Sequence, residues 1–250
     1  MLTMGGAAPA APVSRVVATQ VFTSEGVFTV PEGVTRLESV LVSGGSRGGD
    51  GGSGEGHGGG GAGGGGGGGV LECSLPVVPG ERLTVVPGKG GDLVFDDNIF
   101  TRAGEGAPSV ISLTDADPEE VGSYRAFSGV VLAGRWGGPA VPRRGGAPGA
   151  AGTGTRGGFS ILAFCNGQAR EAPGSVGGAG SNGSLDILRG QGGLGGQGGA
   201  PDPAVPEGCL PDTGRGGNGG NGANGTPPGY NPGEPGTDGR DGCVVITYSE

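Results

Sequence analysis

Glycine returns at every third position in five separate stretches of this chain, and no other feature restricts its fold as strongly. Gly45, Gly48, Gly51 and Gly54 form one stretch, and Gly146, Gly149 and Gly152 a second. Gln191-Gly192-Gly193, Leu194-Gly195-Gly196 and Gln197-Gly198-Gly199 form a third. Gly216, Gly219, Gly222 and Gly225 follow Arg215, Asn218, Asn221 and Asn224, and Gly233, Gly236, Gly239 and Gly242 complete the set. Three residues per turn is the period of the left-handed polyproline-II helix, in which glycine at every third place leaves one face bare of side chains. That helix has no internal hydrogen bonds, so its N–H and C=O groups must pair with water or with a neighbouring rod. Bare faces allow the second option, with weak Cα–H···O contacts added.

The 67 glycines and 20 prolines in 250 residues make ordering costly. Aromatic residues are only 4% of the chain, so a large aromatic core is excluded. Cohesion must then come from dense backbone bonding rather than from an apolar interior. The expected architecture is mainly β plus polyglycine-II: a small antiparallel β-sandwich clamping a bundle of glycine-rich extended helices, with almost no α-helix. A disordered linker is the rival, and Gly61 to Gly69 taken alone reads that way. Collagen fits only Gly233 to Gly242, too short a run for a triple helix.

The β-branched segments are short islands that predict about eight strands. They are Val16 to Phe22, Val27 to Val30, Leu37 to Val42, Val70 to Leu75, Arg82 to Val86, Val110 to Leu113, Gly129 to Ala133 and Cys243 to Tyr248. Pro79-Gly80 predicts a turn joining the fourth and fifth. One short helix is expected over Pro118 to Ala126, with Asp117 as N-cap and Pro118 at the first helical position. The domain reading is an assembly arm over 1–14 and one glycine-rich domain over 15–250. Its β part falls mainly at 15–43, 70–136 and 243–249, and its polyglycine-II segments at 44–69, 137–158, 174–200 and 214–242.

Charge and composition exclude several functions. A net charge of -9 argues against a phosphate backbone as partner. No apolar run approaches the ~20 residues of a membrane-spanning helix, so membrane insertion is not expected. Met1 to Ala11 lacks a basic n-region and a Leu-rich h-region, so the expectation is either that the protein is not exported by a secretory signal or that a leader was removed before this numbering. Cys73, Cys165, Cys209 and Cys243 could form two bridges in three pairings, but the sparse spacing, with no CxxC, favours free or packed thiols.

Motifs that resemble catalytic ones fail on inspection. G-x-G-x-x-G arises by chance in so glycine-rich a chain. Val85 to Gly90 has Leu83 where a phosphate loop needs its first glycine, and Gly90 where it needs Ser or Thr. Asp115 and the acids after it lack calcium-loop spacing. His57, the only histidine, has no second nitrogen or sulfur ligand and reads as a solvated spacer. No Cys or Ser has a His partner in a recognisable arrangement. The chain is therefore expected to have no enzymatic activity and no cofactor or metal. Asn182-Gly183-Ser184 and Asn224-Gly225-Thr226 fit a glycosylation sequon, relevant only on a eukaryotic secretory route.

The order of the pieces carries a resemblance. Phe28-Thr29-Val30-Pro31-Glu32-Gly33-Val34-Thr35-Arg36-Leu37 leads through a strand and a glycine block to Leu75-Pro76-Val77-Val78-Pro79-Gly80-Glu81-Arg82-Leu83-Thr84-Val85. Gly88-Lys89-Gly90-Gly91, more glycine and Gly239-Arg240-Asp241-Gly242-Cys243-Val244-Val245-Ile246-Thr247-Tyr248 follow. This is similar to the glycine-rich domains of bacteriophage tail and virion proteins. The resemblance implies that the first and last strands pair in the β-sandwich that pins the glycine bundle. The chain departs from that pattern at Ser43-Gly44-Gly45, where the family often has Trp-Gly-Ala-Gly, and in an insertion from Asp92 to Trp136.

By the same resemblance, the expected function is that of a virion structural protein at a tail tip, fibre or head surface. Its expected partners are other virion proteins, further copies of itself (a trimer being one stoichiometry) and a host-surface receptor. The alternative is a secreted or surface-attached glycine-rich binding protein, including the ice-binding kind. Ice binding would want repeated Thr or Ala, and the third-place residues here are Gln, Asn, Arg, Leu and Asp. Host-contact candidates lie in the proline-bearing excursions 201–212 and 226–235: Pro206, Leu210, Pro228, Tyr230 and Asn231. Tyr230 is the amphipathic anchor among them, and simple rod-to-rod turns are the bland reading of both excursions.

Overall fold

The computed structural model describes residues 17–54, 57–95, 101–114, 124–127, 170–172, 190–201, 205–225 and 231–249. The expected arm 1–14, the strand 129–133 and the glycine segments 137–158 and 174–189 lie outside them. The described part is mostly β, with no helix. Its strands are β1 (Val17–Phe22), β2 (Gly26–Thr29), β3 (Arg36–Val42), β4 (Val70–Pro76), β5 (Arg82–Val86), β6 (Leu93–Phe95), β7 (Thr101–Ala103), β8 (Val110–Leu113), β9 (Tyr124–Phe127), β10 (Arg170–Ala172) and β11 (Cys243–Ser249).

Two antiparallel sheets dominate. One runs β1-β11-β3-β4-β10, the other β2-β5-β8-β9, and β6 with β7 makes a small third ladder. The first strand pairs with the last, Val17 opposite Ser249 and Phe22 opposite Val244. Alternation explains which faces are buried. In β3, Leu37, Ser39 and Leu41 point inward while Arg36 and Glu38 face water. In β5, Leu83 and Val85 are buried while Arg82 is exposed. Leu37, Leu41, Leu71 and Leu75 of the first sheet join Phe28, Leu83, Val85 and Ile111 of the second in one apolar cluster. Each such side chain contributes about 1.5–3 kcal/mol by leaving water. The turns that hold the sheets use Gly33 and Gly80, both at φ 81°, a conformation glycine adopts without strain.

The glycine segments continue the strand pairs in the same register. Val42 stands opposite Val70 at the end of the β3–β4 ladder. Beyond it, the N–H groups of Ser43, Ser46, Gly49 and Gly52 donate to the carbonyls of Gly69, Gly66, Gly63 and Gly60. Cys243 stands opposite Val42 in the β11–β3 ladder. Past that pair Gly45, Gly48, Gly51 and Gly54 donate to Arg240, Thr237, Glu234 and Asn231. Partner offsets are unchanged, but bonds to a given neighbour now recur every third residue instead of every second.

The β5–β8 pair behaves likewise. After Val86 opposite Val110, Ala107 and Gly104 donate to Lys89 and Asp92. The register resumes as a ladder at Leu93 opposite Ala103. The stretch from Asp92 to Trp136 includes, in its described portion, the expected strand β8, which carries the fully buried Ile111, and β9. The helix expected over Pro118–Ala126 is corrected, because Tyr124 to Ala126 lie in β9, paired with β8. Cross-strand pairing overrode an N-terminal helix signal that had too few residues behind it.

The rival reading of Gly61 to Gly69 as a linker fails, since every residue from 57 to 69 is buried. The expectation of free cysteines fails too. Cys209 and Cys243 form a disulfide rather than free thiols, with Cα atoms 6.2 Å apart. Cys73 is disulfide-bonded as well. Spacing could not reveal the first bridge, because the segments 214–225 and 231–242 fold back before Cys243 returns beside residue 209.

Candidate recognition surface

The glycine layer controls which side chains face outward. Segment 43–54 donates in three directions: to 60–69, to 231–240, and, through Gly44 and Arg47, to Ala107 and Gly104. A Cβ built at Gly48 or Gly51 would run into the carbonyl of Asn218 or Asn221, so side chains are excluded from those rows. They reappear where a neighbour is missing. Along segment 190–200, Gly193, Gly196 and Gly199 are buried, while Gln191, Leu194, Gln197 and Ala200 are exposed.

Side chains in the remaining rows stitch the segments together. The Oδ1 atoms of Asn218, Asn221 and Asn224 accept the N–H groups of Gly198, Gly195 and Gly192, each at 2.9 Å. Arg47 is 1% exposed. Its guanidinium donates to Asp50 Oδ1 (2.9 Å), Asp238 Oδ1 (3.2 Å) and the carbonyls of Gly48 (3.1 Å) and Gly236 (2.9 Å). A buried charge is tolerated when it is paired and hydrogen-bonded in this way. Sequence reasoning missed Arg47. Its only signal was a cation on a glycine row three residues before Asp50.

Two adjoining grooves cross this layer. One, of about 490 Å³, is lined by Thr23, Leu210, Thr213 and Asp241 among others. The other, of about 550 Å³, is lined by Gln197, Arg215, Asn218 and Thr237 among others. Asp212, Asp238 and Arg240 border both. Asp212 pairs with Arg240 at 3.2 Å. Asp241 holds Lys89 Nζ at 3.0 Å and accepts the Gly90 N–H at 2.8 Å. Partial burial pushes the Asp241 carboxyl up, but the Gly90 hydrogen bond and the Lys89 charge outweigh it and hold it below its ordinary value. The lysine of the stretch that looked like a phosphate loop is therefore spent on a carboxylate.

The expected host-contact residues do not converge. Pro228 and Tyr230 lie outside the described residues. Asn231 is half-buried at the Gly54 end of segment 231–242, where its N–H donates to Gly54 and its Nδ2 to the Asn224 carbonyl. Pro206 and Leu210 share a loop at the other end. The Pro206 carbonyl accepts the Cys209 N–H at 3.2 Å and the Leu210 carbonyl accepts the Thr213 N–H at 3.0 Å. The disulfide ties this loop to the first residue of β11, and Leu210 stays 62% exposed. The two ends are separated by the length of segment 231–242.

His57 is 7% exposed within the glycine layer, not a solvated spacer. Among the described residues, no group of three or more His, Cys, Asp or Glu side chains could hold a metal ion, and no helix is long and apolar enough to cross a membrane. The sequence profile of a family described as a glycine-rich domain matches residues 22–249. No curated protein matches the chain.

Proposed function

The chain belongs to the glycine-rich domain family, and on that premise we propose that it is a non-enzymatic structural protein of a bacteriophage virion. Its place is a tail tip, fibre or head surface, where a rigid glycine scaffold displays loops for host attachment. The glycine segments act as polyglycine-II rods, and the two sheets act as a β-sandwich clamping one end of the bundle. Its partners are other virion proteins, further copies of itself and a host-surface receptor.

One observation carries the reading. Segment 43–54 spends its backbone donors on three separate neighbours at intervals of three residues. A chain bonded in three directions resists bending along each of them, which suits a spacer that must hold a distant loop in a fixed orientation. The exposed, disulfide-anchored loop carrying Leu210 is the kind of preset element such a scaffold would present.

The disulfide favours the alternative, a secreted or surface-attached binding protein, because such bridges form and persist in oxidising surroundings. The ice-binding version of that alternative predicts thermal hysteresis in a solution of the purified chain. For the virion reading, antibody-gold labelling of purified particles from the source organism is expected to mark one defined position. Particles that carry no label while the chain is found free in the medium would overturn it.

A further inference from the structure

We propose that the groove bordered by segments 190–200, 214–225 and 231–242 binds an acidic glycan, that is, a sugar polymer carrying carboxylate or phosphate oxyanions. The inference deepens the attachment reading above and rests on it for its biological setting, but its chemistry stands on the groove alone.

The lining offers donors to a ligand, because several of its acceptors are already used internally and its two carboxylates are each held by an arginine. Asn218 Oδ1 accepts the Gly198 N–H at 2.9 Å, which leaves the two Nδ2 hydrogens available to a ligand. Thr237 Oγ1 accepts the Asn218 N–H at 2.7 Å, which leaves its own O–H to donate. Asp212 is paired with Arg240, and Asp238 with the buried Arg47. Arg215 is exposed, lines the groove, and among the described residues has no side-chain hydrogen bond or ion pair. A free guanidinium beside amide and hydroxyl donors fits an oxyanion set among sugar oxygens, since its planar fork binds carboxylate or phosphate in bidentate fashion.

The size is consistent as well. A groove of about 550 Å³ joined to a second of about 490 Å³ has room for several sugar rings. The chain carries a net charge of -9 and Arg240 is paired with Asp212, so attraction to an anion must be local to Arg215 and will weaken as salt rises. A neutral glycan would leave the Arg215 fork unanswered.

The test is equilibrium binding of the full chain to three immobilised polymers: a polyuronate, a phosphodiester-linked sugar polymer and neutral dextran. Binding to at least one acidic polymer and none to dextran is expected, and the two acidic arms tell carboxylate from phosphate. Arg215→Ala should weaken that binding about tenfold. Arg82→Ala, which removes the same charge from an exposed position in β5, should leave it unchanged. Melting of both variants should match the parent, so a loss cannot be assigned to unfolding. No binding to either acidic polymer, equal binding to dextran, or undiminished binding by Arg215→Ala would each overturn the proposal. None of these results alters particle labelling, so failure here and failure of the virion reading remain distinguishable.

Discussion

The apolar cluster between the two sheets and the glycine layer beyond them are both dry and both well bonded, yet they cohere by opposite means. Between the sheets, side chains such as Leu37, Leu75, Leu83 and Ile111 fill the space, and backbone bonds run only within each sheet. In the layer, backbone lies directly on backbone, and segment 43–54 bonds to three neighbours. A strand points its polar groups in two directions because it repeats every two residues. A threefold repeat points them in three, which leaves no room for side chains in the rows that face a neighbour. A side chain therefore stabilises the cluster by its presence and the layer by its absence.

The sharpest way to break the comparison is to add atoms to one region and remove them from the other. A Cβ at Gly222 would meet the carbonyl of Gly59, which cannot rotate away as a side chain would. Gly222→Val is expected to cost ~3 kcal/mol or more and to lower the melting temperature more than any surface change. Ala62 and Ala223 are buried in the same layer, so it accommodates a methyl where it is built around one. Leu83→Ala does the reverse, opening a cavity in the apolar cluster at a cost of about 2–5 kcal/mol. If Gly222→Val melted like the parent while Leu83→Ala did not, the layer would be a loose annex rather than a second core.

Next in size is the bridge between the regions. The Cys209–Cys243 disulfide closes a loop with a sequence separation of 34, containing two layer segments and ending on β11. Replacing both cysteines by serine should cost about 3–4 kcal/mol in the chain-entropy account. The loss should appear first as faster amide exchange across 205–225, before β3 or β5 changes. A smaller effect tests the asparagine row. Asn221→Ala leaves the Gly195 N–H without its acceptor and should cost ~1 kcal/mol in denaturant unfolding.

Smallest is the electrostatic tie from Asp241 to Lys89 and Gly90. Its carboxyl is held below the ordinary 3.8 in the folded chain. It therefore adds stability that is fully present above that pH and is lost as the pH falls through the lowered value. Melting curves of the parent and Asp241→Asn should differ at neutral pH and converge in acid. A difference that persisted unchanged in strong acid would show that the carboxylate charge is not what the tie depends on.

Much of this was legible from residue order. Strands β1 to β5, β8 and β11 follow from runs of β-branched residues ended by Gly and Pro, because both signals are local. Pro79-Gly80 was readable as a turn for the same reason. β9 was not, because a proline after Asp117 and two acids imitate a helix start and only pairing with β8 decides otherwise. The groove lining was hidden too. Gln197, Arg215, Asn218 and Thr237 sit on three segments whose adjacency depends on register, and a threefold row looks alike wherever its neighbours are. Leu210 and Asn231 were both candidates because both lie in proline-bearing excursions, yet Asn231 sits at the Gly54 end of segment 231–242 and Leu210 in a loop near its other end.

What residue order determined alone is the period: three in the glycine stretches and two in the strands, and with it which positions can never carry a side chain. That follows from backbone geometry, which each residue feels through its immediate neighbours. What tertiary structure decided is which segments touch. It placed Arg47 in the interior, drew Cys209 to Cys243 and left Arg215 without a side-chain partner among the described residues, because hydrogen bonds between glycine segments depend on alignment in space and a glycine row carries no side chain to announce its neighbour.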